Sequence, residues 1–216
     1  MIRRLKIKSS RSKEEIQFLT QFIVESDAIE SIRADRRLVS KQLKRGHTDG
    51  HVGALLLLDA LAKKKQALTH RIIRRVQGLI TSEQHTKLGG EKLRLEWVGI
   101  YRPVWVQIGG RMCPSPEKVL TFMEVWLSQV SKWQDDGSDS MKEKLAQIAT
   151  FHFDYEFIHP FADGNGRSGR AIVYYLMRYS GLNPFVFTAE DRSLVYYPAF
   201  RSRGDMQWYF ETKARD

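Results

Sequence analysis

Residues 159–170, with the sequence HPFADGNGRSGR, constrain the fold of this 216-residue chain more than any other feature. An apolar run at residues 171–177 follows them. Four apolar residues precede them at helical spacing, namely Ile148, Phe151, Tyr155 and Ile158. These patterns predict a helix over about 140–158 and another from about 166 to Gly181, with the glycine-rich segment as the loop between them. The chain is therefore expected to be mainly α-helical.

The glycines and arginines of this loop predict a cradle for phosphate groups. Gly164 and Gly166 allow positive φ angles and close approach of the backbone to a ligand. The loop leads into a helix N-terminus, whose free N–H groups attract anions. Arg167 and Arg170 are three residues apart, so they lie on one face of the helix and can each grip a phosphate. Positive charge at a helix start opposes the helix dipole, and an anionic ligand accounts for it.

Asp163 and His159 add reactive groups to this cradle. Magnesium in proteins is typically held by one or two carboxylates plus substrate phosphates, which makes Asp163 a candidate ligand. Histidine is the side chain that ordinarily changes charge near neutral pH, so His159 is the natural general base. A base beside bound phosphates indicates group transfer to a nucleophile. The structural alternative is a glycine-rich turn between two helices.

The segment resembles the Fic-family signature, HPFx[D/E]GNGRxxR, at every specified position. The resemblance implies a Fic-type helical bundle. It also implies transfer of a nucleoside monophosphate, usually AMP from the co-substrate ATP, to a Ser, Thr or Tyr hydroxyl of a target protein. Phosphorylation, transfer from other nucleotides and removal of AMP are alternatives on the same fold. Gly166 argues against the phosphorylating branch, which resembles a version with lysine at that position.

The same resemblance implies a role for each residue of the loop. His159 would deprotonate the target hydroxyl, Asp163 would bind Mg²⁺, and Phe161 would be a buried anchor. The nucleotide would be bound by Gly164, Asn165, Gly166, Arg167 and Arg170, with the two arginines on the β- and γ-phosphates.

A second motif lies near the N-terminus. Residues 12–15, SKEE, form a capping box that predicts a helix start near residue 13. Residues 26–31, SDAIES, resemble the inhibitory motif of the Fic family, [S/T]xxxE[G/N]. The resemblance implies that Glu30, four residues after Ser26, pairs with Arg170 and occupies the space of the ATP γ-phosphate. Ser31 departs from the motif, which has Gly or Asn at that position. This departure leaves the local backbone geometry open. On an amphipathic helix, Ser26 and Glu30 could equally be surface residues.

The net positive charge of the chain comes entirely from its first third. Residues 1–75 hold 18 Lys and Arg against 8 Asp and Glu, whereas residues 76–216 hold 17 of each, which gives a net charge of +10. Mixed charges without interleaved aromatic residues favour solvated helix faces. The alternative is an arm that attracts an acidic partner or nucleic acid, and hence a non-catalytic nucleotide- or nucleic-acid-binding regulator. Residues 1–50 are expected to form a basic helical segment and 51–216 the Fic core domain.

Composition also bears on the cellular compartment. No apolar run reaches the ~18 residues of a membrane span. The single cysteine, Cys113, excludes an internal disulfide and suits a reducing compartment, so we expect a cytoplasmic protein without a membrane partner. The sequence specifies neither the target protein nor the preferred base, and it leaves a homo-oligomer open.

The remaining segments are expected to be scaffold helices and one flap. Helices are predicted over 33–45, 52–65 and from Thr69, a loop over 81–98, and two helical pieces beyond 191. A further helix is predicted to start at Ser115-Pro116. Over 119–130 it has apolar residues at core-like spacing: Leu120, Phe122, Met123, Val125, Trp126 and Leu127. Residues 99–110 predict a β-hairpin.

The family resemblance gives this hairpin a role as the flap that pairs with the target backbone. Its candidate residues are Val104, Trp105, Val106, Gln107 and Ile108. His152 and Glu156 lie four apart, a spacing that metal sites use, but no third ligand recurs nearby and both are expected to be structural.

Overall fold

The computed structural model describes residues 11–82, 94–136 and 140–215, and these ranges form a helical bundle with one small hairpin. The helices are α1 (Lys13–Ile29), α2 (Arg36–Arg45), α3 (Gly50–Lys63), α4 (His70–Ser82), α5 (Pro116–Asp136), α6 (Met141–Ile158), α7 (Asn165–Ser180) and α8 (Arg203–Lys213). Strands β1 (Gln107–Ile108) and β2 (Arg111–Met112) pair antiparallel, with Gln107 opposite Met112. The expected mainly α fold with a β-hairpin is confirmed. Within the described ranges, no helix is both long and apolar enough to cross a membrane.

Helix α7 lies at the centre of the bundle. It packs against α3 and α6, and also contacts α4 and α1, while α6 packs in turn against α5 and α8. Residues 167–177 of α7 are all buried, polar and apolar alike, as in a helix that is surrounded by others. The loop that joins α6 to α7 is therefore held by several helices at once.

The N-terminal helices differ in one respect from the prediction. Helix α1 begins as expected, because the Ser12 hydroxyl accepts a hydrogen bond from the Glu15 amide at 3.1 Å. The prediction that a helix includes residue 33 is wrong, however, since α2 begins only at Arg36. The Asp35 carboxylate caps it by accepting hydrogen bonds from the amides of Arg37 and Leu38, at 2.8 and 3.2 Å. Gly46, with φ of 64°, ends α2 as predicted.

Helix α5 buries only part of the apolar set that the sequence suggested. Met123, Trp126 and Leu127 are buried, whereas Leu120, Phe122 and Val125 are exposed. The expectation of a wholly buried set was wrong because α5 packs mainly on α6, so that one face is covered while its apolar residues extend around a second face.

The hairpin is shorter than predicted. Gly109 and Gly110, with φ of 53° and 80°, form the two-residue turn, a conformation that suits glycine in tight hairpins. Val104 and Trp105 precede the strands, although the Val106 carbonyl accepts a hydrogen bond from the Cys113 amide at 3.0 Å.

The other connecting segments were predicted with mixed success. The loop over 81–98 falls largely on residues 83–93, which lie outside the described residues, and Leu95–Trp97 form a short 3₁₀-helix. The helix predicted over 52–65 runs from Gly50 to Lys63. Beyond residue 191 there are three short helical pieces and not two, namely a π-helix at Arg192–Tyr196, a 3₁₀-helix at Pro198–Arg201, and α8.

Candidate active site

His159 ends α6 in a left-handed conformation, with φ of 50°. For a residue other than glycine this conformation costs about 1–2 kcal/mol, so the surrounding structure must hold it. The buried guanidinium of Arg102 does so by donating to the carbonyls of His159 at 2.7 Å and Ile158 at 3.3 Å. The Arg102 amide also donates to the Pro160 carbonyl at 2.9 Å. Arg102 therefore fixes the backbone that presents the imidazole.

The same arginine connects His159 to the flap. Its guanidinium donates further hydrogen bonds to the carbonyls of Val104 at 2.9 Å and Pro114 at 2.6 Å, on either side of the hairpin. Beyond Val104, Trp105 and Ile108 are exposed while Val106 is half-buried. The hairpin thus presents a largely solvent-facing edge that is anchored beside His159.

Asn165 shapes the loop between His159 and α7. Its side-chain oxygen accepts from the Phe161 amide and its side-chain nitrogen donates to the Phe161 carbonyl, each at 2.8 Å. Both residues are buried. Asn165 therefore stabilises the loop backbone, and Phe161 is the buried anchor that the sequence suggested.

Two residues of α4 hold the loop from the other side. The Gln77 amide nitrogen donates to the Asp163 carbonyl at 2.9 Å, and its oxygen accepts from the Gly99 amide at 2.6 Å. A Cβ at Gly164, where φ is 78°, would press against the Thr81 methyl group. Sequence reasoning treated α4 as scaffold and missed Gln77 and Thr81, because hydrogen bonds between distant segments leave no local pattern.

The glycines of the cradle serve different purposes. Gly164 has the predicted positive φ at the start of α7. Gly166 has a helical backbone, so the prediction of a positive φ there was wrong. A Cβ at Gly166 would instead overlap the carboxylate of Glu30 and crowd a terminal nitrogen of Arg170. Gly166 is needed for space.

Arg170 joins the cradle to α1. Its guanidinium is buried and donates to the Ser26 hydroxyl at 2.9 Å, the Ser26 carbonyl at 2.8 Å and the Glu30 carboxylate at 2.8 Å. Burial alone would lower the pKa of Arg170, but Tyr196 and the negative charge of Glu30 outweigh it and raise that pKa. The structure therefore brings Ser26, Glu30, Gly166 and Arg170 together.

Ser31 has the geometry that the motif demands of Gly or Asn. Its φ is 60°, and its amide donates to the Ala28 carbonyl at 2.9 Å as α1 ends. The Ser31 hydroxyl accepts a hydrogen bond from Arg192 at 3.0 Å. The departure in sequence at this position leaves the left-handed backbone intact.

Arg167 is buried, and one of its terminal nitrogens lies 3.5 Å from the carboxylate of Asp163. Burial lowers the pKa of Arg167, and the carboxylates of Asp163, Asp27 and Glu30 offset part of that effect. The Asp163 side chain is half exposed, and one of its oxygens accepts from the Gly164 amide at 2.6 Å. Within the described residues, no three His, Cys, Asp or Glu side chains converge as a metal site. Asp163 together with substrate oxygens fits the way magnesium is held.

His152 and Glu156, both on α6, have different surroundings. His152 is packed among aromatic rings, and its Nε2 lies 2.9 Å from the Tyr196 hydroxyl. Glu156 faces the active site, with a carboxylate oxygen 3.6 Å from His159 Nδ1. In the described structure the two side chains therefore have different partners.

Comparison with known proteins gives this site a family. Residues 67–177, a little over half of the chain, match the Fic/DOC family. Protein adenylyltransferase fic-1 of Caenorhabditis briggsae is 30% identical over 114 residues, which cover 53% of this chain and 22% of that protein. Protein adenylyltransferase Fic of Drosophila melanogaster is 28% identical over 99 residues, which cover 46% and 19%. The matched part is about a fifth of the length of these relatives.

Solved structures show the same fold. A Fic domain containing signaling protein from Bacteroides thetaiotaomicron superposes with a TM-score of 0.73 at 22% identity, covering 92% of this chain and 84% of that one. A fragment of Fic-1 from Caenorhabditis elegans gives a TM-score of 0.67 at 18% identity, covering 95% and 62%. The family match extends from before α4 to the buried part of α7 and so includes the whole loop at 159–170. This chain belongs to the Fic/DOC family.

Proposed function

We propose that the protein is an adenylyltransferase that transfers AMP from ATP to a hydroxyl of a target protein, and that Glu30 inhibits this reaction. The contact between Glu30 and Arg170 carries the proposal. A carboxylate resembles a pair of phosphate oxygens to a guanidinium, and Glu30 lies against Gly166 inside the anion cradle. A phosphate group of a ligand can therefore bind Arg170 only if it displaces Glu30.

The side chains around the cradle support phosphoryl chemistry of this kind. His159 takes the proton of the target hydroxyl, whose oxygen then bonds to the α-phosphorus of ATP as the bond to the pyrophosphate oxygen breaks. Arg167 and Arg170 bind the departing phosphates, whose negative charge grows during the transfer. The N-terminus of α7 adds backbone N–H groups to the same region.

Asp163 is the residue that would hold Mg²⁺. Its side chain is half exposed and lies at the mouth of the cradle, where a cation can reach both the carboxylate and substrate phosphates. A bound magnesium ion would neutralise charge on those phosphates. The Asp163 carboxylate also accepts a hydrogen bond from the Gly164 amide, so its position is fixed before a cation binds.

The flap supports a protein as the second substrate. An exposed strand edge can pair with an extended peptide through backbone hydrogen bonds. The exposed side chains of Trp105 and Ile108 give such a peptide apolar contacts. Because Arg102 ties the flap to the His159 backbone, a peptide on the flap would present its hydroxyl near the imidazole.

Labelling with ATP that carries an isotope in its α-phosphate tests the proposal. A hydrogen bond to a charged group contributes about 1.5–3 kcal/mol, so Glu30→Gly should raise self-labelling with Mg²⁺ by about 10- to 100-fold. Glu30→Gln, which keeps the size but not the charge, should give a smaller increase. Labelling should disappear in the Glu30→Gly protein when His159→Ala is added, or when EDTA removes the metal. Normal ATP binding by Glu30→Gly without any labelling would show the proposal to be wrong.

Removal of AMP from a target is the second candidate, and the partial exposure of Glu30 favours it. The Glu30 side chain is 31% exposed, so its carboxylate could also position a water molecule at the cradle. Incubating an adenylylated target with wild-type protein and with Glu30→Gly separates the directions. Faster release of AMP by the wild type would show that the protein removes AMP from the target. Faster attachment of AMP by Glu30→Gly would show that it transfers AMP to the target.

A further inference from the structure

Glu156 places a buried carboxylate directly behind the candidate base. It lies in the last turn of α6, three residues before His159, and its Oε2 is 3.6 Å from His159 Nδ1. Only 10% of its side chain is exposed. The carboxylate and the imidazole therefore face each other in a region from which water is largely excluded.

Both groups have polar atoms that the rest of the described structure leaves without a hydrogen bond. Glu156 Oε1 and His159 Nδ1 are buried and have no hydrogen-bond partner among the described residues. Buried polar atoms are nearly always paired in folded proteins, so each such atom calls for an explanation. A proton on Nδ1, directed at the carboxylate, would supply the imidazole's missing partner.

The present separation is longer than a hydrogen bond and shorter than an ion-pair limit of 4 Å. A small side-chain rotation closes such a gap, and hydrogen bonds of catalytic groups commonly tighten only when substrate binds. Their arrangement on one helix, three residues apart, keeps the two side chains within reach of each other.

Gly169 provides the space in which this carboxylate lies. A Cβ at position 169 would overlap Glu156 Oε1 and press on the ring of Tyr155. Gly169 has a helical backbone, so no special φ angle calls for glycine there. The missing side chain is what admits the carboxylate. This assigns a purpose to a residue that the family signature leaves unspecified.

We infer that Glu156 is a positioning residue for His159. Its carboxylate accepts a hydrogen bond from Nδ1–H, which fixes the ring and leaves Nε2 without a proton, ready to take one from the target hydroxyl. When Nε2 becomes protonated, the same carboxylate stabilises the positive charge. The catalytic part of this inference rests on the proposed function, whereas the tautomer of His159 does not.

Three substitutions test the inference in a Glu30→Gly background. Glu156→Leu removes both the charge and the acceptor, Glu156→Gln removes only the charge, and Gly169→Ala disturbs the carboxylate without altering it. We expect kcat to fall about 100-fold in Glu156→Leu and about 10-fold in each of the other two variants, because general-base catalysis as a whole contributes about 10²–10⁴. The KM for ATP should change less than about twofold. Asp154→Asn is the matched control, because Asp154 is a carboxylate of the same helix that pairs with Arg203 at 2.7 Å. It should leave kcat unchanged.

The tautomer is measured separately by ¹⁵N NMR of the imidazoles, with the His159→Ala spectrum identifying the His159 signals among the six histidines. We expect a proton on Nδ1 in the wild type and in Glu156→Gln, and a shift toward Nε2–H in Glu156→Leu. If Glu30→Gly incorporates no nucleotide, the proposed function fails while the tautomer still tests Glu156.

If the Glu30→Gly protein is active, either of two results would overturn the inference. One is a kcat in Glu156→Gln and Gly169→Ala that matches Asp154→Asn. The other is a His159 tautomer that Glu156→Leu does not change, which would make any loss of activity in that variant a structural effect.

Discussion

Replacing Asp59 with asparagine tests what ties the start of α1 to the helical core. The Asp59 carboxylate in α3 is fully buried and accepts hydrogen bonds from Arg11 at 2.8 Å, Lys63 at 2.9 Å and the Tyr174 hydroxyl at 2.9 Å. Arg11 precedes the N-cap residue of α1, and Tyr174 belongs to α7. One carboxylate therefore links three parts of the bundle, and Asp59→Asn removes its charge with almost no change in shape.

The expected loss follows from how well each partner can return to water. Breaking a buried ion pair by removing one partner typically costs about 3–5 kcal/mol, because a charge is left buried without compensation. The Lys63 side chain is 49% exposed and can turn to solvent, whereas that of Arg11 is only 6% exposed and would keep only part of its compensation, from Glu15 at 3.3 Å. The side-chain oxygen of asparagine can still accept a hydrogen bond from the Tyr174 hydroxyl. We therefore expect the free energy of unfolding to fall by about 3 kcal/mol, the lower end of that range.

The loss should depend on pH with a definite sign. Burial alone would raise the pKa of Asp59, but hydrogen bonds from Lys63, Arg11 and Tyr174 and the charge of Lys63 hold that pKa below its usual value. A carboxyl with a lowered pKa in the folded state stabilises the fold above about pH 4, its unfolded value, and that stabilisation is lost as pH falls further. The difference between wild type and Asp59→Asn should therefore shrink below about pH 4.

Urea unfolding followed by tryptophan fluorescence at pH 7 and pH 3.5 measures both effects. Lys63→Met is the matched control, because it removes a half-exposed partner of the same carboxylate and should cost less than about 1 kcal/mol. The reasoning is refuted if Asp59→Asn costs no more than Lys63→Met at pH 7, or if its cost is the same at both pH values.

Two further substitutions probe the neighbourhood of α1 and α6. Ser31→Gly should leave the free energy of unfolding within about 1 kcal/mol of wild type, because relief of the left-handed φ is offset by unfolded-state entropy and the lost Arg192 bond. Thermal unfolding measures this, and a larger loss would show that the serine hydroxyl matters more than the backbone. Burial, aided by the charge of Arg170, lowers the pKa of His152 to about 3, so folding loses about 1.4 kcal/mol per pH unit below about 6.5. His152→Gln should flatten that dependence in urea unfolding between pH 6.5 and 4, and an unchanged slope would contradict it.

Local patterns predicted the unit of α6, loop and α7 well, because helix stops and glycine turns act over a few residues. His159 ends α6 and Gly181, with φ of 80°, ends α7 at the predicted positions. The same patterns missed the break before Asp35, since a basic amphipathic run looks the same whether or not a cap interrupts it.

The supports of the site could not be predicted in this way. Arg102 binds carbonyls 56 and 57 residues away, and Gln77 binds one 86 residues away. Such contacts depend on how helices pack, and no spacing within a segment encodes them. The exposed half of the apolar set on α5 was missed for the same reason, because periodicity identifies an apolar face but not whether another helix covers it.

Gly166 and Gly169 both leave space for a carboxylate, although residue type alone had suggested a positive φ at Gly166. Both lie in regular α7, where glycine costs about 0.5–1 kcal/mol relative to alanine, and neither has a positive φ. Gly166 leaves room for the carboxylate of Glu30 from α1, and Gly169 leaves room for that of Glu156 from α6. In the proposed reaction, the first carboxylate would compete with phosphate for Arg170 and the second would orient His159, so a methyl group at either glycine should affect a different step.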